Sequence, residues 1–261
     1  MILTLDIGNT QLFGGVFSTD GKLKLKFRKT SKDRSSSDEH GLFLRQVLRE
    51  NGIDPNDVAH IVIASVVPEM NHSINSACIK YFDIRPLMLQ AGLKTGLKIK
   101  VQNPKEMGAD LVANAVAAVA QYPDQNLIVI DFGTATTVSV VNKNKEYLGG
   151  IIMPGLRLSV LSLVSGTAQL PSVEILVPDR VIGRTTVEHI QAGIYYSALG
   201  MIREVCERSA QEAFNSEKPM VIGTGGFANL FANAQVFDVI EQDLVLHGLF
   251  YIFQYNQTSC Q

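Results

Sequence analysis

Apolar residues at the start of the chain fall into short blocks separated by turn-forming residues. Two apolar blocks, 2–5 and 12–17, lie on either side of the sequence Asp-Ile-Gly-Asn-Thr, and leucine or phenylalanine alternates with lysine over 23–27. Apolar blocks of this length joined by glycine-containing turns are typical of antiparallel strands. We therefore predict that the chain opens with an antiparallel ladder of hairpins.

Further along, apolar blocks alternate with segments of helical periodicity, which predicts a series of strands and helices after a polar loop. In chain order these are the loop 29–40, the helix 42–48, the strand 61–64, the helix 75–82, the strand 86–89, the buried helix 111–121, the strand 127–130, the helix 186–213 and a last apolar strand, 220–222. Strands that alternate with helices in this way, some of them wholly apolar, favour a parallel α/β core.

The pattern of the first hairpin occurs a second time near the middle of the chain. The strand 127–130 is followed by Asp131-Phe-Gly-Thr-Ala-Thr-Thr and by a second apolar block at 138–141. This repeats the order of strand, Asp-x-Gly-[Asn/Thr] turn and strand. A repeat on this scale predicts two halves of similar topology, 1–115 and 116–261.

Composition and charge narrow the class of protein. Of the 261 residues, 46% are hydrophobic and 18% are charged, as is typical of a soluble globular protein. The 23 basic and 25 acidic residues nearly cancel, so neither a nucleic acid nor an anionic membrane is expected as the main partner. No basic segment precedes the first apolar residues and no apolar run reaches the ~18 residues of a membrane span, so a cytoplasmic protein is predicted. Cys78, Cys206 and Cys260 show no CxxC spacing and are expected to be reduced, mostly buried thiols.

Both predicted hairpin turns combine an aspartate, a glycine and side chains with hydroxyl or amide groups. Gly8 has no side chain to block a ligand, so backbone N–H groups can bind phosphate oxygens there, and Asp6 offers a hard oxygen ligand for Mg²⁺. Two such turns facing each other would hold the phosphates of a nucleotide from both sides of a cleft, and Thr134, Thr136 and Thr137 would supply donors on the second side. Alternatively, Asp6 and Asp131 satisfy only the backbone groups of their own turns. The repetition favours nucleotide-dependent phosphoryl transfer or hydrolysis.

Other motifs of the chain are weaker. The sequence Gly-Thr-Gly-Gly-Phe-Ala at 223–228 fits the dinucleotide fingerprint, but too little chain follows it for a dinucleotide-binding domain. It is either a tight strand-to-helix turn or a turn whose backbone approaches an adenine or a ribose. Asp110 is either the N-cap of the helix after it or a catalytic group. The absence of a Walker A sequence excludes a P-loop, and the lack of a G-x-S-x-G elbow or zinc-protease histidine spacing argues against hydrolases of those classes.

Taken together, these segments resemble the type III pantothenate kinases, members of the superfamily of acetate kinases, sugar kinases, Hsp70 and actin. The resemblance covers most of the chain and rests on several ordered motifs. They are Asp6-Ile7-Gly8-Asn9-Thr10, Ala64-Ser65-Val66-Val67-Pro68, Asn103-Pro104 with Gly108-Ala109-Asp110, Asp131-Phe132-Gly133-Thr134-Ala135-Thr136-Thr137, Gly149-Gly150 with Pro154-Gly155, Gly166-Thr167-Ala168-Gln169-Leu170-Pro171, and Thr224-Gly225-Gly226.

The resemblance implies a fold of two ribonuclease H-like (actin-like ATPase) domains of similar topology that face a central cleft. It also implies an activity, the ATP-dependent phosphorylation of the primary hydroxyl of pantothenate to 4'-phosphopantothenate, which is the first step of coenzyme A biosynthesis. A homodimer that uses Mg²⁺ and a monovalent cation, K⁺ or NH₄⁺, is implied as well.

The same resemblance assigns roles to residues of this chain. Asp110 matches the general base that orients and deprotonates the acceptor hydroxyl, Asp6 would hold Mg²⁺ directly or through water, and Asp131 would lie near the nucleotide and the monovalent cation. Other residues of the turns and of the glycine motif would bind ATP, namely Gly8, Asn9, Thr10, Gly133, Thr134, Thr136, Gly225 and Gly226. Residues at two places would bind the acceptor, namely Gly108, Ala109 and Asp110, and Thr186 at the dimer interface.

One residue departs from the family pattern. The family continues Gly-Ala-Asp with an arginine that contacts the pantothenate carboxylate, whereas this chain has Leu111. A leucine cannot form that charge-assisted hydrogen bond, so acceptor affinity is expected to fall or the acceptor to differ, unless Arg157 or Arg184 supplies the charge. Two alternatives to a pantothenate kinase follow. One is a nucleotide-binding regulatory or accessory protein with weak or no kinase activity, and the other is a kinase or phosphatase for another small acid or alcohol.

Overall fold

The computed structural model describes residues 1–31 and 35–257, and this part of the chain forms two compact α/β units. The first unit comprises Met1–Leu97, Gln102–Ala120 and the chain from Leu244 onward, and the second comprises Lys98–Val101 and Gln121–Asp243. The division of the chain into 1–115 and 116–261 stays a prediction. The compact units differ from it in that the last helix belongs to the first unit.

The first unit is a mixed sheet with helices on both faces. Numbered along the whole chain, its elements are β1 (Ile2–Ile7), β2 (Gln11–Phe17), β3 (Leu23–Thr30), α1 (Ser37–Glu50), β4 (His60–Ser65), α2 (Pro68–Phe82), β5 (Leu87–Met88), α3 (Ala109–Gln121) and α6 (Leu244–Gln257). The sheet order is β3-β2-β1-β4-β5. β1 pairs antiparallel with β2 and parallel with β4, as the predicted hairpin ladder and parallel core require.

The second unit repeats this arrangement. Its elements are β6 (Lys98–Ile99), β7 (Leu127–Phe132), β8 (Ala135–Val141), β9 (Glu146–Pro154), α4 (Leu156–Gly166), α5 (Thr186–Phe214), β10 (Met220–Gly225) and β11 (Val239–Ile240). The sheet order is β11-β10-β7-β8-β9-β6. β7 pairs antiparallel with β8 and parallel with β10, so it has the same kinds of neighbour as β1. The prediction of α/β halves of similar topology is confirmed.

Alternation of side chains along β1 separates two apolar layers of the first unit. Leu3 and Leu5 belong to the layer that contains residues of α1 and α2, such as Leu44. Ile2 belongs to the layer that contains apolar residues of α3 and α6, such as Val112. Because side chains alternate along a strand, Asp6 projects to the same face as Ile2.

Helix α1 begins earlier than its hydrophobic pattern indicates, because a capping box starts it. The hydroxyl of Ser36 accepts a hydrogen bond from the backbone N–H of Glu39 at 3.2 Å, and the Glu39 carboxylate accepts one from the N–H of Ser36 at 2.6 Å. These two bonds satisfy donors that a helix start otherwise leaves unpaired. The predicted polar loop 29–40 is therefore shorter, and its residues 32–34 lie outside the described residues.

Several elements have no matching prediction, namely β6, β9, α4, β11 and α6. Helix α6 is buried along most of its length, including Leu246, Leu249 and Ile252. A helix that is apolar nearly all round lacks the amphipathic stripe by which a helix is recognised in a sequence. The strand over 220–222 is not the last one, because the two-residue strand β11 follows it.

The cysteines within the described residues are free thiols in apolar surroundings. Cys78 is buried and Cys206 is half-buried, and burial raises the pKa of each thiol to about 12. Their burial agrees with the prediction of mostly buried thiols, whereas the reduced state stays a prediction. Cys260 lies outside the described residues. None of the helices within residues 1–31 and 35–257 is long and apolar enough to cross a membrane.

Candidate active site

The first turn connects β1 to β2 and consists of Gly8, Asn9 and Thr10. The backbone N–H of Gly8 donates to the carbonyl of Gln11 at 3.0 Å, which closes the turn. Asn9 is exposed, and Gly8 and Thr10 are half-buried. The predicted phosphate-binding residues of this turn are therefore accessible to a ligand.

Asp6 precedes this turn near the carboxyl end of β1. It is half-buried, and its register partners are Phe13 of β2 and Ala64 of β4. Both partners belong to the apolar layer that includes Val112 of α3. The face of the sheet that carries Asp6 is thus the face on which α3 packs, so Asp6 and Asp110 belong to the same side of the first sheet.

Asp110 lies in the first turn of α3. The helix begins at Ala109 and the carbonyl of Gly108 accepts a hydrogen bond from the N–H of Val112 at 3.2 Å, so Asp110 is not the N-cap. Its Oδ1 instead accepts a hydrogen bond from the N–H of Leu111 at 2.8 Å. A Cβ at position 108 would lie 2.5 Å from that oxygen, so the glycine there leaves room for the carboxylate.

Burial raises the pKa of Asp110 above its ordinary value of 3.8, and hydrogen bonds from the backbone N–H groups of Leu111 and of Asp110 itself oppose the shift. A raised pKa makes an ionised carboxylate a stronger proton acceptor. The buried environment of Asp110 therefore makes its carboxylate more basic than that of an ordinary aspartate.

The second turn connects β7 to β8 through Gly133 and Thr134, both of which are exposed. The N–H of Gly133 donates to the carbonyl of Ala135 at 3.1 Å, in the same way as Gly8 donates in the first turn. Gly155 packs against this turn from the start of α4: a Cβ there would lie 2.3 Å from the carbonyl oxygen of Thr134. The position of the second turn thus depends on a glycine about twenty residues later in the sequence.

Asp131 has neighbours from two strands. Its register partners are Thr137 of β8 and Thr224 of β10, so the three side chains form one row across the sheet. The backbone of Gly225 approaches the same carboxylate. The structure therefore brings the second aspartate turn and the glycine motif together, as a shared nucleotide site requires.

Thr136 has a different environment from that of its neighbours in the second turn. It is 0% exposed, and its register partners are Phe132 and Met153, both of the layer that packs on α4 and α5. Its side chain projects to the face opposite Asp131, so a phosphate contact at this position would have to come from the backbone. Thr137, the last residue of the second aspartate motif, shares the face of Asp131.

Gly226 and Thr186 are both open to solvent. The N–H of Gly226 donates to the carbonyl of Phe132 at 3.1 Å, and the nearest atom to a Cβ built at 226 lies 4.0 Å away. Thr186 is the first residue of α5 and lines a groove of about 480 Å³ together with residues of α4 and α5, such as His189 and Ser197. Gly226 has room for a ligand at its backbone, and Thr186 lines a groove with both polar and apolar residues.

The acidic residues fit a metal that takes most of its ligands from substrate and water. Within residues 1–31 and 35–257, no three His, Cys, Asp or Glu side chains are grouped so that they could hold a metal ion. Mg²⁺ is usually bound by one or two carboxylates, with substrate phosphates and water completing its octahedron. The single carboxylate of Asp6 beside the first turn matches that pattern.

The family model described as type III pantothenate kinase matches residues 2–208 of the chain. A type III pantothenate kinase from Legionella pneumophila (strain Corby) is 53% identical over 249 residues, covering 95% of this chain and 96% of the relative. One from Elusimicrobium minutum (strain Pei191) is 50% identical over 258 residues, covering 99% of this chain and 100% of the relative.

Solved structures show that the fold is shared more widely. A protein from Sinorhizobium meliloti assigned as a 2-dehydro-3-deoxygalactonokinase matches with a TM-score of 0.61 at 12% identity, covering 97% of this chain and 96% of the other. A protein from Campylobacter jejuni assigned to the Baf family of transcriptional activators matches with a TM-score of 0.60 at 17% identity, covering 98% and 99%. At these identities the likeness concerns the fold, which is that of actin-like ATPases and sugar kinases.

Proposed function

Because the chain belongs to the type III pantothenate kinase family, we propose that it transfers the γ-phosphoryl group of ATP to the primary hydroxyl of pantothenate. The products are ADP and 4'-phosphopantothenate. A kinase of this family uses ATP and a divalent metal ion. The observation that carries the proposal is Asp110, a half-buried carboxylate with a raised pKa next to a glycine that leaves space beside it.

In the proposed mechanism the two turns bind the phosphates of ATP. Backbone N–H groups and polar side chains of Asn9, Thr10 and Thr134 contact phosphate oxygens, and the backbone at 136 contributes there rather than its side chain. Gly8 and Gly133, whose own N–H groups close the two turns, bind the phosphates by leaving room for their close approach. Gly225 and Gly226 allow the nucleoside to approach the backbone.

Asp110 orients the pantothenate hydroxyl and accepts its proton as that oxygen bonds to the γ-phosphorus and the bond to the ADP oxygen breaks. Phosphoryl transfer depends mostly on positioning and charge stabilisation, so aiming the hydroxyl is as important as the basicity of Asp110. Gly108 and Ala109 line the acceptor pocket next to Asp110, and Thr186 lines the same pocket at the dimer interface.

The metal ions are proposed from the donor atoms present. Asp6 would hold Mg²⁺, directly or through water, and Asp131 would hold K⁺ or NH₄⁺ with the nucleotide. Bound Mg²⁺ would neutralise charge on the β- and γ-phosphates. Because each site offers one carboxylate, both ions are expected to bind weakly without nucleotide.

A homodimer is part of the same proposal, and exposed apolar residues of the second unit support it. Ile152 is 71% exposed and Ile182 is 84% exposed, and Leu158, Leu161 and Val181 are exposed as well. Burial of such side chains in a protein interface removes apolar surface from water, which favours association. Light scattering on the Ile182→Asp variant should give a smaller mass than on the native protein. The control Leu42→Asp, which replaces a leucine of the first unit that is 59% exposed, should keep the native mass. A native protein that is monomeric at micromolar concentration would remove the dimer from the proposal.

Release of ADP by the purified protein tests the activity. The assay contains ATP, Mg²⁺ and K⁺ or NH₄⁺, with and without pantothenate, and includes Asp110→Asn as the matched variant. We expect ADP release that depends on pantothenate and falls about a hundredfold or more in Asp110→Asn, as for the loss of a positioned base. Nucleotide binding without release would instead favour a regulatory protein or another acceptor, neither of which the sequence relatives support. Because positive and negative charges nearly balance, neither nucleic acid nor a membrane is expected as a partner. A cytoplasmic location stays a prediction from the sequence.

A further inference from the structure

We propose that Arg28 is a nucleotide-binding residue: its guanidinium binds a phosphate group of ATP at the first turn, and the ring of Phe13 positions it. The inference rests on the proposed function and adds a residue to it. Neither the aspartate and glycine motifs nor the resemblance assigns Arg28 a role.

The register of three strands places Arg28 in line with Asp6. Asp6 of β1 is opposite Phe13 of β2, and Phe13 is opposite Arg28 of β3. Residues that are opposite one another in neighbouring strands project to the same face of a sheet. The three side chains therefore form one row at the end of the sheet where the first turn lies.

The side chain of Arg28 extends along this row towards β1. Its Cζ atom lies 3.7 Å from the centre of the Phe13 ring, so the guanidinium covers the middle residue of the row. Neighbouring strands are about 4.8 Å apart, which places the backbone of β3 about 10 Å from that of β1. By lying over Phe13, the guanidinium brings its charge across about half of that distance.

A second contact directs the guanidinium to the turn. Its Nη1 donates to the side-chain oxygen of Gln11 at 3.4 Å, and Gln11 is the first residue after Gly8, Asn9 and Thr10. An aromatic face under a guanidinium and a hydrogen bond at its edge restrict its orientation. Arginine then presents a planar set of N–H donors that matches the oxygens of a phosphate.

A cationic side chain at the first turn would add to the charge compensation that bound Mg²⁺ supplies. Transfer of a phosphoryl group places negative charge on oxygens that already lie near Asp6, and the chain has no P-loop lysine to compensate it. The neighbouring cation on β3 is directed elsewhere, since Lys29 donates to the hydroxyl of Ser35 at 3.0 Å and lies by the ring of Phe43. Arg28 is the basic residue of β3 that is in register with Asp6.

Two variants of Arg28 and one control test the inference. Arg28→Gln removes the charge, Arg28→Lys keeps it without the planar fork, and Lys24→Gln removes a charge from another exposed position of the same strand. The measurements are kcat and KM for ATP and for pantothenate, and the rise in Tm produced by ATP with Mg²⁺ and by adenosine.

We expect Arg28→Gln to lower kcat/KM for ATP about tenfold or more, the effect of losing a charge-assisted contact, and to leave KM for pantothenate within about twofold. It should also reduce the rise in Tm with ATP but not that with adenosine. Arg28→Lys should recover part of the loss, and Lys24→Gln should behave as the native protein. A purely structural role would lower Tm without this difference between ATP and adenosine.

Equal ATP kinetics and ATP stabilisation in Arg28→Gln and Lys24→Gln would overturn the inference. If Arg28→Gln does not fold, Arg28→Lys decides: stabilisation by ATP that is reduced relative to adenosine supports the role, and unchanged stabilisation rejects it. A native protein without pantothenate-dependent ADP release would reject the proposed function instead, and the ATP stabilisation of the variants would still report on Arg28.

Discussion

The backbone of Gly225 lies directly against the carboxylate of Asp131. A Cβ built at position 225 would be 2.3 Å from Asp131 Oδ1, and the backbone there has a φ of +86°, a conformation that side-chain-bearing residues rarely adopt. The glycine motif at the end of β10 is thus shaped around the aspartate of β7. This contact connects two parts of the candidate nucleotide site that are far apart in the sequence.

Replacement of Gly225 by alanine should disturb the nucleotide site. We expect Gly225→Ala to lose about 1–3 kcal/mol of unfolding free energy from the strained backbone, and to weaken ATP binding because the Asp131 carboxylate is displaced. Gly226→Ala is the matched control, since its Cβ would have only the carbonyl oxygen of Phe132 near it, at 4.0 Å. Thermal unfolding with and without ATP measures both effects, and equal behaviour of the two variants would contradict this account.

Replacement of Gly155 by alanine should also lower stability and disturb ATP binding, for a steric reason. A Cβ there would lie 2.3 Å from the carbonyl oxygen of Thr134 and 2.7 Å from that of Gly133, so Gly155→Ala must displace the second turn. We expect a loss of about 1–3 kcal/mol in stability and a higher KM for ATP. Gly166→Ala at the other end of α4 has no atom within 4 Å of its Cβ and serves as the control. A variant at 155 with native ATP kinetics would show that the turn does not bind the nucleotide.

The raised pKa of Asp110 predicts an effect of pH on stability. Because burial raises the pKa in the folded state above 3.8, the carboxyl group binds protons more readily in the folded protein, and its contribution to stability is lost as pH rises through the folded pKa. Asp110→Asn should therefore have a higher Tm than the native protein at neutral pH, with the difference shrinking below about pH 4, while its turnover is reduced. A lower Tm at neutral pH would show that the ionised carboxylate stabilises the fold, contrary to the burial argument.

Leu111 offers a test of acceptor recognition. The residue is half-buried in the first turn of α3, next to Asp110. If the leucine costs the chain a contact to the pantothenate carboxylate, Leu111→Arg should lower KM for pantothenate and leave KM for ATP unchanged. Leu111→Met, which keeps an apolar side chain of similar volume, is the control. An unchanged KM for pantothenate in Leu111→Arg would mean that another group, such as Arg157 or Arg184, holds the carboxylate.

Local patterns of the sequence were sufficient for much of the fold. Strand, turn and strand around Asp6 and Asp131 depend on alternation and glycine turns, which act over a few residues, so both hairpins and their similarity could be predicted. Helix α6 could not be predicted from periodicity, because burial on most sides removes the polar face. The start of α1 at Ser37 was hidden by a polar first turn that a capping box stabilises.

For the candidate site, the sequence by itself determined which chemical groups are available: three aspartates, two glycine-containing turns and a glycine motif at the end of a strand. Tertiary structure decided which of these groups are neighbours. The pairing register set Thr137 rather than Thr136 beside Asp131, and Arg28 in line with Asp6. Register and packing depend on contacts between residues far apart in the chain. A pattern along the sequence reports only the local contributions to the free energy of folding.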